Sequence, residues 1–153
     1  QVGAKVASTN EGVRVSRNGA GLQPVEVTTE PFPGFPTDLQ APLMIYLTQL
    51  KGESLVFETI FEGRLNYTEQ LNRMGASITM MDPHRVLVKG KTALKGKRLE
   101  SPDLRAGLAF VMAAAIATGS SEIHNVYNID RGYERVEERL REIGLRITRN
   151  NIE

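Results

Sequence analysis

Cysteine is absent from the 153 residues of this sequence. Its absence excludes a disulfide framework, a zinc–thiolate site and a cysteine nucleophile. Neither of the two histidines, His84 and His124, has a second histidine at ligand spacing, and both are interpreted as structural. A chain without thiols suits a reducing cytosol. We therefore expect a cytoplasmic protein without a bound metal.

Long apolar runs and an excess of one charge sign are also missing. The longest apolar stretch, Ala106 to Thr118, is shorter than the roughly 20 residues that span a bilayer. The 19 basic and 18 acidic residues give a net charge of +1 without a basic stripe. No glycine-rich phosphate loop or dinucleotide fingerprint occurs in the sequence. We therefore expect one compact domain with no membrane, nucleic-acid or cofactor partner.

The chain does contain an internal repeat. Its clearest copies begin at Asp38–Ala41 and Asp103–Ala106, and each leads into an apolar stretch that ends at a glycine, Gly52 or Gly119. Such stretches are typical of buried helices with glycine after their last turn. In both copies a strand, a short helix and another strand follow, which predicts a duplicated α/β unit. The predicted strands are Leu55–Ile60, Ser77–Met80, Glu122–Tyr127 and Arg146–Thr148, and the predicted helices are Tyr67–Met74 and Tyr133–Ile143.

A third, partial copy opens the chain. Gly3–Val6 and Val13–Val15 match the later pair Gly75–Ile78 and Val86–Val88 at nearly the same spacing. In the first full copy, Ile78–Met81 and Arg85–Val88 on either side of an Asp82–His84 turn predict a hairpin. No helix precedes Gly3, so we expect a fragment whose uncovered apolar face favours self-association or pairing with an absent N-terminal domain. The predicted organisation is one domain with a partial repeat at 1–30, a first full repeat at 31–100 and a second repeat at 101–153.

Two aspartates stand at matched places in the repeat. The proline-dense run 31–36 predicts a stiff loop that presents Thr37 and Asp38. Asp38 and its repeat partner Asp103 each precede a predicted helix, which leaves two interpretations. An aspartate N-cap is worth about 1 kcal/mol and needs no further function. A carboxylate held at this place could also act as a general base toward a hydroxyl.

Arginines recur at loop and helix-start positions. Arg64 and Arg131 occupy matched places, and Arg105 lies at a predicted helix start. A guanidinium group binds phosphate or carboxylate through two parallel hydrogen bonds, so this recurrence favours an anion site. The alternative is that nearby acids neutralise the arginines in ordinary surface ion pairs. The acids in question are Glu58, Glu62 and Asp130.

Four ordered motifs carry a resemblance to a known family. They are Phe35–Pro42, then Glu58–Arg64 with Arg73–Ala76, then Asp103–Gly107, then Ile129–Arg135. Together they span essentially the whole chain and resemble the signatures of the UDP-N-acetylglucosamine enolpyruvyl transferases. The last motif lacks the Lys-Glu-Ser/Thr-Asp-Arg pattern that the related shikimate-phosphate enolpyruvyl transferases usually carry there.

The resemblance implies an α/β (α+β) fold of the inside-out barrel type. Each of the family's two domains has three βαβαββ units around a pseudo-threefold axis, with helices inside and sheets outside, and this chain resembles most of the second domain. The implied reaction moves the enolpyruvyl group of phosphoenolpyruvate to the 3′-hydroxyl of UDP-N-acetylglucosamine and releases phosphate. In the family this is the first committed step of peptidoglycan synthesis. The family's general acid, usually a cysteine, matches no part of this chain, so we expect the isolated chain to be inactive.

The resemblance also implies site residues. Asp38 matches the family's base, and Ile60 lines the site of the sugar nucleotide. Gly63 stands where the family often has asparagine. The remaining substrate-binding candidates are Thr37 beside the base, Arg64 and Asp103 in the cleft between the domains, and Arg105 and Arg131 on the phosphoenolpyruvate side. Two other functions stay open: a non-catalytic sugar-nucleotide or anion-binding module of the same fold, and a shikimate-pathway relative.

Overall fold

The computed structural model describes residues 3–17 and 21–150, and within these ranges it contains eight strands and five helices. The strands are β1 (Ala4–Thr9), β2 (Gly12–Arg17), β3 (Glu26–Thr28), β4 (Gly52–Phe57), β5 (Ile78–Asp82), β6 (Arg85–Gly90), β7 (Arg98–Glu100) and β8 (Glu122–His124). The helices are α1 (Gln40–Thr48), α2 (Thr68–Arg73), α3 (Leu104–Ile116), α4 (Tyr127–Asp130) and α5 (Val136–Glu142). A 3-10 turn, Thr37–Leu39, precedes α1.

The centre of the molecule is a βαβαββ succession that runs from β3 to β6. Its four strands form one sheet in the order β3-β4-β6-β5, with β3 parallel to β4 and the other neighbours antiparallel. Val86 and Val88 of β6 are buried against the helices, whereas Arg85 and Lys89 beside them are exposed. This alternation is the period of a strand with one covered face. The predicted hairpin at β5 and β6 is confirmed, and the predicted helix Tyr67–Met74 is α2 within one residue at each end.

A second unit begins in the same order, with β7, α3 and β8, and β7 pairs parallel with β8. The predicted strand Glu122–Tyr127 is wrong beyond His124. Asn125 has φ of 56°, a left-handed conformation that asparagine tolerates and that ends the strand before α4. The helix predicted over 133–143 corresponds to α5, which begins three residues later than predicted. Arg135 has a left-handed backbone conformation, so the helix begins only after it.

The predicted strand Arg146–Thr148 is wrong. Residues 145–150 have no strand partner in the part of the chain that the structure describes. Arg149 instead donates two hydrogen bonds to the carboxylate of Asp130, at 3.0 and 2.7 Å, and lies 3.2 Å from Glu137. Side-chain ion pairs therefore hold this segment against α4 and α5, where the repeat predicted a β ladder.

The N-terminal hairpin of β1 and β2 forms a separate two-stranded sheet. Its apolar residues are open to solvent: Val6, Val13 and Val15 are 66%, 67% and 66% exposed. The predicted self-association through such a face stays a prediction.

The core lies between the four-stranded sheet and two helices packed side by side. Helix α1 is buried between β6 and α3, and Met44, Leu47 and Phe110 are almost fully buried there. At Gly107 on α3, an added Cβ would lie 2.6 Å from Cγ1 of Ile129, so only glycine lets α4 approach α3 this closely. Since α1 and α3 pack along each other, the 3-10 turn before α1 comes close to the first turn of α3, as the contact between Asp38 and Arg105 shows.

None of the helices in the described ranges has the length and apolar character that crossing a membrane requires; the longest, α3, has 13 residues.

Candidate active site

Asp38 lies in the 3-10 turn and does not cap a helix. Its carboxylate accepts no backbone hydrogen bond in the described structure; it is ion-paired with Nε of Arg105 and lies 3.6 Å from Nη1 of Arg64. The Asp38 side chain is 61% exposed. The N-cap interpretation is therefore wrong for Asp38. Two cations hold its carboxylate at the surface, where a ligand can reach it.

Asp103 is the N-cap of α3. It is extended, with φ of −156° and ψ of 174°, and its Oδ1 accepts the backbone N–H groups of Arg105 at 2.8 Å and Ala106 at 3.2 Å. The N-cap interpretation is thus confirmed for this aspartate, which also lies in the same cleft as Arg105. The two matched aspartates differ because α3 begins directly after Asp103, whereas the 3-10 turn separates Pro36 from α1 and places Leu39 at the cap position.

Arg64 is fixed by three groups. Its Nη1 donates a hydrogen bond to Oγ1 of Thr37 at 2.6 Å, its guanidinium lies 3.9 Å from the ring centroid of Phe61, and Asp38 is its ionic neighbour. Only 15% of the Arg64 side chain is exposed. The preceding Gly63 has φ of 72°, in the left-handed region that glycine and asparagine both adopt. This shared conformation explains why glycine can stand where the resembling family often has asparagine.

Glu58 is the residue that sequence reasoning misplaced. The alternative in which Glu58 neutralises an arginine in a surface ion pair is wrong, because Glu58 is fully buried. Its carboxylate is hydrogen-bonded to two threonine hydroxyls and two backbone N–H groups. A signal was present in the sequence: Ser54, Val56 and Glu58 lie at alternate positions, and all three are buried. If the two-residue period of the strand is continued beyond Val56, it places Glu58 on the same inner face of the sheet.

A shallow depression joins most of the candidate residues. Thr37, Arg64, Asp103 and Arg105 contribute to its lining, which Gln40, Ala41, Tyr67 and Ala106 complete. Tyr67 is buried and packs edge-on against Phe110, with ring centroids 6.3 Å apart. Burial raises the pKa of Tyr67 well above its ordinary value, so its hydroxyl stays protonated and donates to Oε1 of Gln40 at 3.2 Å.

Asp38, Ile60 and Arg131 do not line this depression, although Asp38 pairs with Arg64 and Arg105, which do. Ile60 is 37% exposed and follows Glu58, whose Oε1 accepts the Ile60 N–H at 2.9 Å. Arg131 is exposed at the end of α4 and has no ion pair within residues 3–17 and 21–150. The proposed neutralisation of Arg131 by Asp130 is wrong, since Asp130 binds Arg149. Arg131 therefore presents its charge to solvent.

The histidines and acids form no metal centre in the described ranges, where no group of three or more metal-ligating side chains converges. His84 has a structural contact, as predicted: its Nδ1 lies 2.8 Å from the carbonyl oxygen of Glu58. What the site offers is an exposed carboxylate with two arginines beside it. Such a group can accept a proton from a hydroxyl, and the arginines can bind an anion.

Comparison with solved structures shows which class of protein has this fold. The crystal structure of the enolpyruvyl transferase NikO from Streptomyces tendae superposes with a TM-score of 0.83 over 94% of this chain and 33% of that chain, at 26% identity. EPSP synthase from Acinetobacter baumannii, at 17% identity, shares the fold with a TM-score of 0.66 over 97% of this chain and 35% of that chain. The mixed α/β domain of the enolpyruvyl transferases is thereby confirmed.

The chain belongs to the EPSP synthase (3-phosphoshikimate 1-carboxyvinyltransferase) family, which it matches over residues 1–140. Within the family it is similar to the UDP-N-acetylglucosamine 1-carboxyvinyltransferase of Beijerinckia indica, with 49% identity over 97% of this chain and 34% of the relative. The chain is also similar to the UDP-N-acetylglucosamine 1-carboxyvinyltransferase 1 of Mesorhizobium japonicum, with 48% identity over 97% of this chain and 34% of that relative. The resemblance read from the four motifs is confirmed, and the chain spans about a third of the length of the curated relatives it matches.

Proposed function

We propose that the protein to which this chain belongs transfers the enolpyruvyl group of phosphoenolpyruvate to the 3′-hydroxyl of UDP-N-acetylglucosamine and releases phosphate. This would be the first committed step of peptidoglycan synthesis. The observation that carries the proposal is the exposed Asp38 carboxylate held between Arg64 and Arg105. The similarity to the enzymes of Beijerinckia indica and Mesorhizobium japonicum supports the choice of substrates.

Asp38 is the proposed base. A sugar hydroxyl hardly ionises at neutral pH, so its oxygen needs a group that takes the proton while the new carbon–oxygen bond forms. The Asp38 carboxylate is open to solvent, and no backbone N–H of the described residues competes for its lone pairs. Thr37, which precedes Asp38 in the chain, and Ile60 are the other proposed contacts of the sugar nucleotide.

The arginines are the proposed anion site. Phosphoenolpyruvate brings a phosphate and a carboxylate, and guanidinium groups bind both through paired hydrogen bonds. Arg105 is ion-paired with Asp38, so an anion that reaches Arg105 competes with the base for the same cation. Binding of the phosphate would therefore loosen Asp38 from Arg105 as the hydroxyl arrives. Arg131 adds a further exposed cation from the end of α4.

For the architecture we propose the inside-out α/β barrel of three βαβαββ units about a pseudo-threefold axis. The complete succession from β3 to β6 and its partial repetition by β7, α3 and β8 support repeated units. The proposed units are 1–30, 31–100 and 101–153, and a further domain would supply the opposite wall of the cleft. A cleft between domains works by closing around its substrates, which one wall cannot do.

Reconstitution tests the function. The chain is mixed with a separately expressed remainder of the Beijerinckia indica relative, and phosphate release from phosphoenolpyruvate is measured with and without UDP-N-acetylglucosamine. We expect release only when both protein parts and both substrates are present. Turnover by the chain alone would contradict the shared site. A chimeric enzyme, in which this chain replaces the aligned segment of that relative, provides a covalent version of the same test.

A further inference from the structure

The buried carboxylate of Glu58 stands at the junction of the two loops that carry the site. One loop contains Thr37 and Asp38, and the other leaves β4 and carries Ile60 and Arg64. Glu58 is fully buried, so it cannot touch a ligand. We infer that Glu58 is a positioning residue that sets the orientation of Arg64 and Asp38 through the hydroxyl of Thr37. This inference rests on the proposed function only for its kinetic consequence.

The two oxygens of Glu58 bind different parts of the site. Oε1 accepts the hydroxyl of Thr29 at 3.0 Å and the backbone N–H groups of Ile60 at 2.9 Å and Phe61 at 3.2 Å. Among the donors of residues 3–17 and 21–150, Oε2 accepts the hydroxyl of Thr37 alone, at 2.7 Å. Four donors compensate the burial of the carboxylate. Oε1 thus holds the loop after β4, and Oε2 joins that loop to the turn that bears Asp38.

The Thr37 hydroxyl links Glu58 to Arg64, because its single proton can be donated to only one of its neighbours. Since that proton is donated to Oε2 of Glu58, the oxygen lone pairs face Nη1 of Arg64 at 2.6 Å. The same Nη1 lies 3.6 Å from Oδ1 of Asp38. A continuous chain of contacts therefore runs from Glu58 through Thr37 and Arg64 to the proposed base.

The substitution Glu58→Gln breaks this chain without changing the size of the side chain. An amide has one acceptor oxygen, and three of the four donors converge on Oε1. With the amide oxygen at that place, the NH₂ group faces Thr37, whose hydroxyl must then accept instead of donate. Its proton turns toward Arg64, where it opposes the guanidinium. Arg64 loses one of the three contacts that fix its orientation, and its pairing with Asp38 is weakened.

The experiment compares Glu58→Gln, Thr37→Val and the double variant. In the 153-residue chain, the readout is the NMR signal of the Arg64 guanidinium and the affinity for inorganic phosphate. In the chimeric enzyme, the readout is kcat and KM. Glu62→Gln is the matched control, because it makes the same change at an exposed acid four positions along the chain. Thermal unfolding is followed for every variant.

We expect each single variant to lower kcat by about tenfold to a hundredfold, the effect of losing one hydrogen bond to a charged group. The double variant should be no worse than the more impaired single variant, because both changes break the same chain of contacts. The Arg64 signal should shift in both single variants and remain in place in Glu62→Gln. Losses that multiply in the double variant would overturn the inference, since a purely structural Glu58 acts independently of Thr37.

The two proposals fail in distinguishable ways. If the parent chimera shows no enolpyruvyl transfer, the proposed function fails, and the Arg64 signal and phosphate affinity of the 153-residue chain still decide the role of Glu58. If Glu58→Gln does not fold, Thr37→Val in the otherwise unaltered chain breaks the same contact and gives the same readouts. An unshifted Arg64 signal in folded Thr37→Val would contradict the inference.

Discussion

The carboxylate of Asp38 is ion-paired with the guanidinium of Arg105 across the adjoining starts of α1 and α3. The pair joins the two copies of the internal repeat, because each residue lies at the beginning of one copy. Asp103, which is the repeat partner of Asp38, holds the backbone of Arg105 by capping α3. The two matched aspartates thus act on the same arginine, one through its side chain and the other through its backbone.

The proposed base is tested by Asp38→Asn in the chimeric enzyme. General-base catalysis contributes typically about a hundredfold to ten-thousandfold, so we expect kcat to fall at least about a hundredfold. UDP-N-acetylglucosamine binding should stay within roughly tenfold, because loss of the base acts mainly on the transition state. A phosphate-release assay measures kcat, and calorimetry measures the affinity for UDP-N-acetylglucosamine. Asp82→Asn, at a half-buried acid 3.5 Å from Arg85 and far from Asp38 in the chain, is the control. Near-normal kcat in Asp38→Asn would refute the assignment.

Competition between Asp38 and an anion is tested in the 153-residue chain by titration with inorganic phosphate at low ionic strength. Asp38→Asn should bind phosphate about two- to fivefold more tightly, because an exposed ion pair of modest strength no longer occupies Arg105. Arg105→Gln should bind phosphate more weakly than the parent chain. Asp82→Asn makes the same change in net charge and should have little effect. Equal affinities for the parent chain and Asp38→Asn would show that Asp38 does not compete for the anion site.

The structural role of Asp103 is tested by urea denaturation. Asp103→Ala removes the acceptor of two backbone N–H groups at the start of α3, and we expect a loss of about 1 kcal/mol in the free energy of unfolding. Asp38→Ala is the matched control and should cost less, because Asp38 caps no helix and is 61% exposed. The cap assignment would be wrong if the two variants lost the same stability.

The left-handed conformation at Gly63 is tested by a pair of substitutions. Gly63→Asn should retain most of the stability, because asparagine tolerates a φ of 72°. Gly63→Val should cost about 1–2 kcal/mol more, since a branched side chain is strained in this region. Urea denaturation measures both. Equal stability of the two variants would show that the loop does not depend on this conformation.

Much of the fold follows from local patterns. The strand-forming runs on either side of the Asp82–His84 turn predicted β5, β6 and their hairpin, because turn residues between two such runs are a local signal. Local patterns could not decide whether Arg146–Thr148 forms a strand. A strand needs a partner, and in the described structure Arg149 binds Asp130 instead.

The sequence predicted which residues belong to the site better than it predicted how their side chains are arranged. The motifs brought together Asp38, Arg64 and Arg105, and the structure places them in contact. Sequence alone did not separate Asp38 from Asp103, because both precede an apolar helix and only the intervening 3-10 turn moves Asp38 away from the cap position. Glu58 was missed because an acid was assumed to be exposed, although its place in the strand pattern pointed inward.

The chimeric enzyme gives the most direct test of the central claim that this chain carries the proposed base and anion site of a UDP-N-acetylglucosamine enolpyruvyl transferase. Phosphate release from phosphoenolpyruvate is measured with UDP-N-acetylglucosamine or with shikimate 3-phosphate as acceptor, and the product is identified by mass spectrometry. The account predicts enolpyruvyl-UDP-N-acetylglucosamine from the parent chimera, at least about a hundredfold less from Asp38→Asn, and no product from shikimate 3-phosphate. A folded chimera that forms no enolpyruvyl-UDP-N-acetylglucosamine, or whose turnover is unaffected by Asp38→Asn, would contradict it.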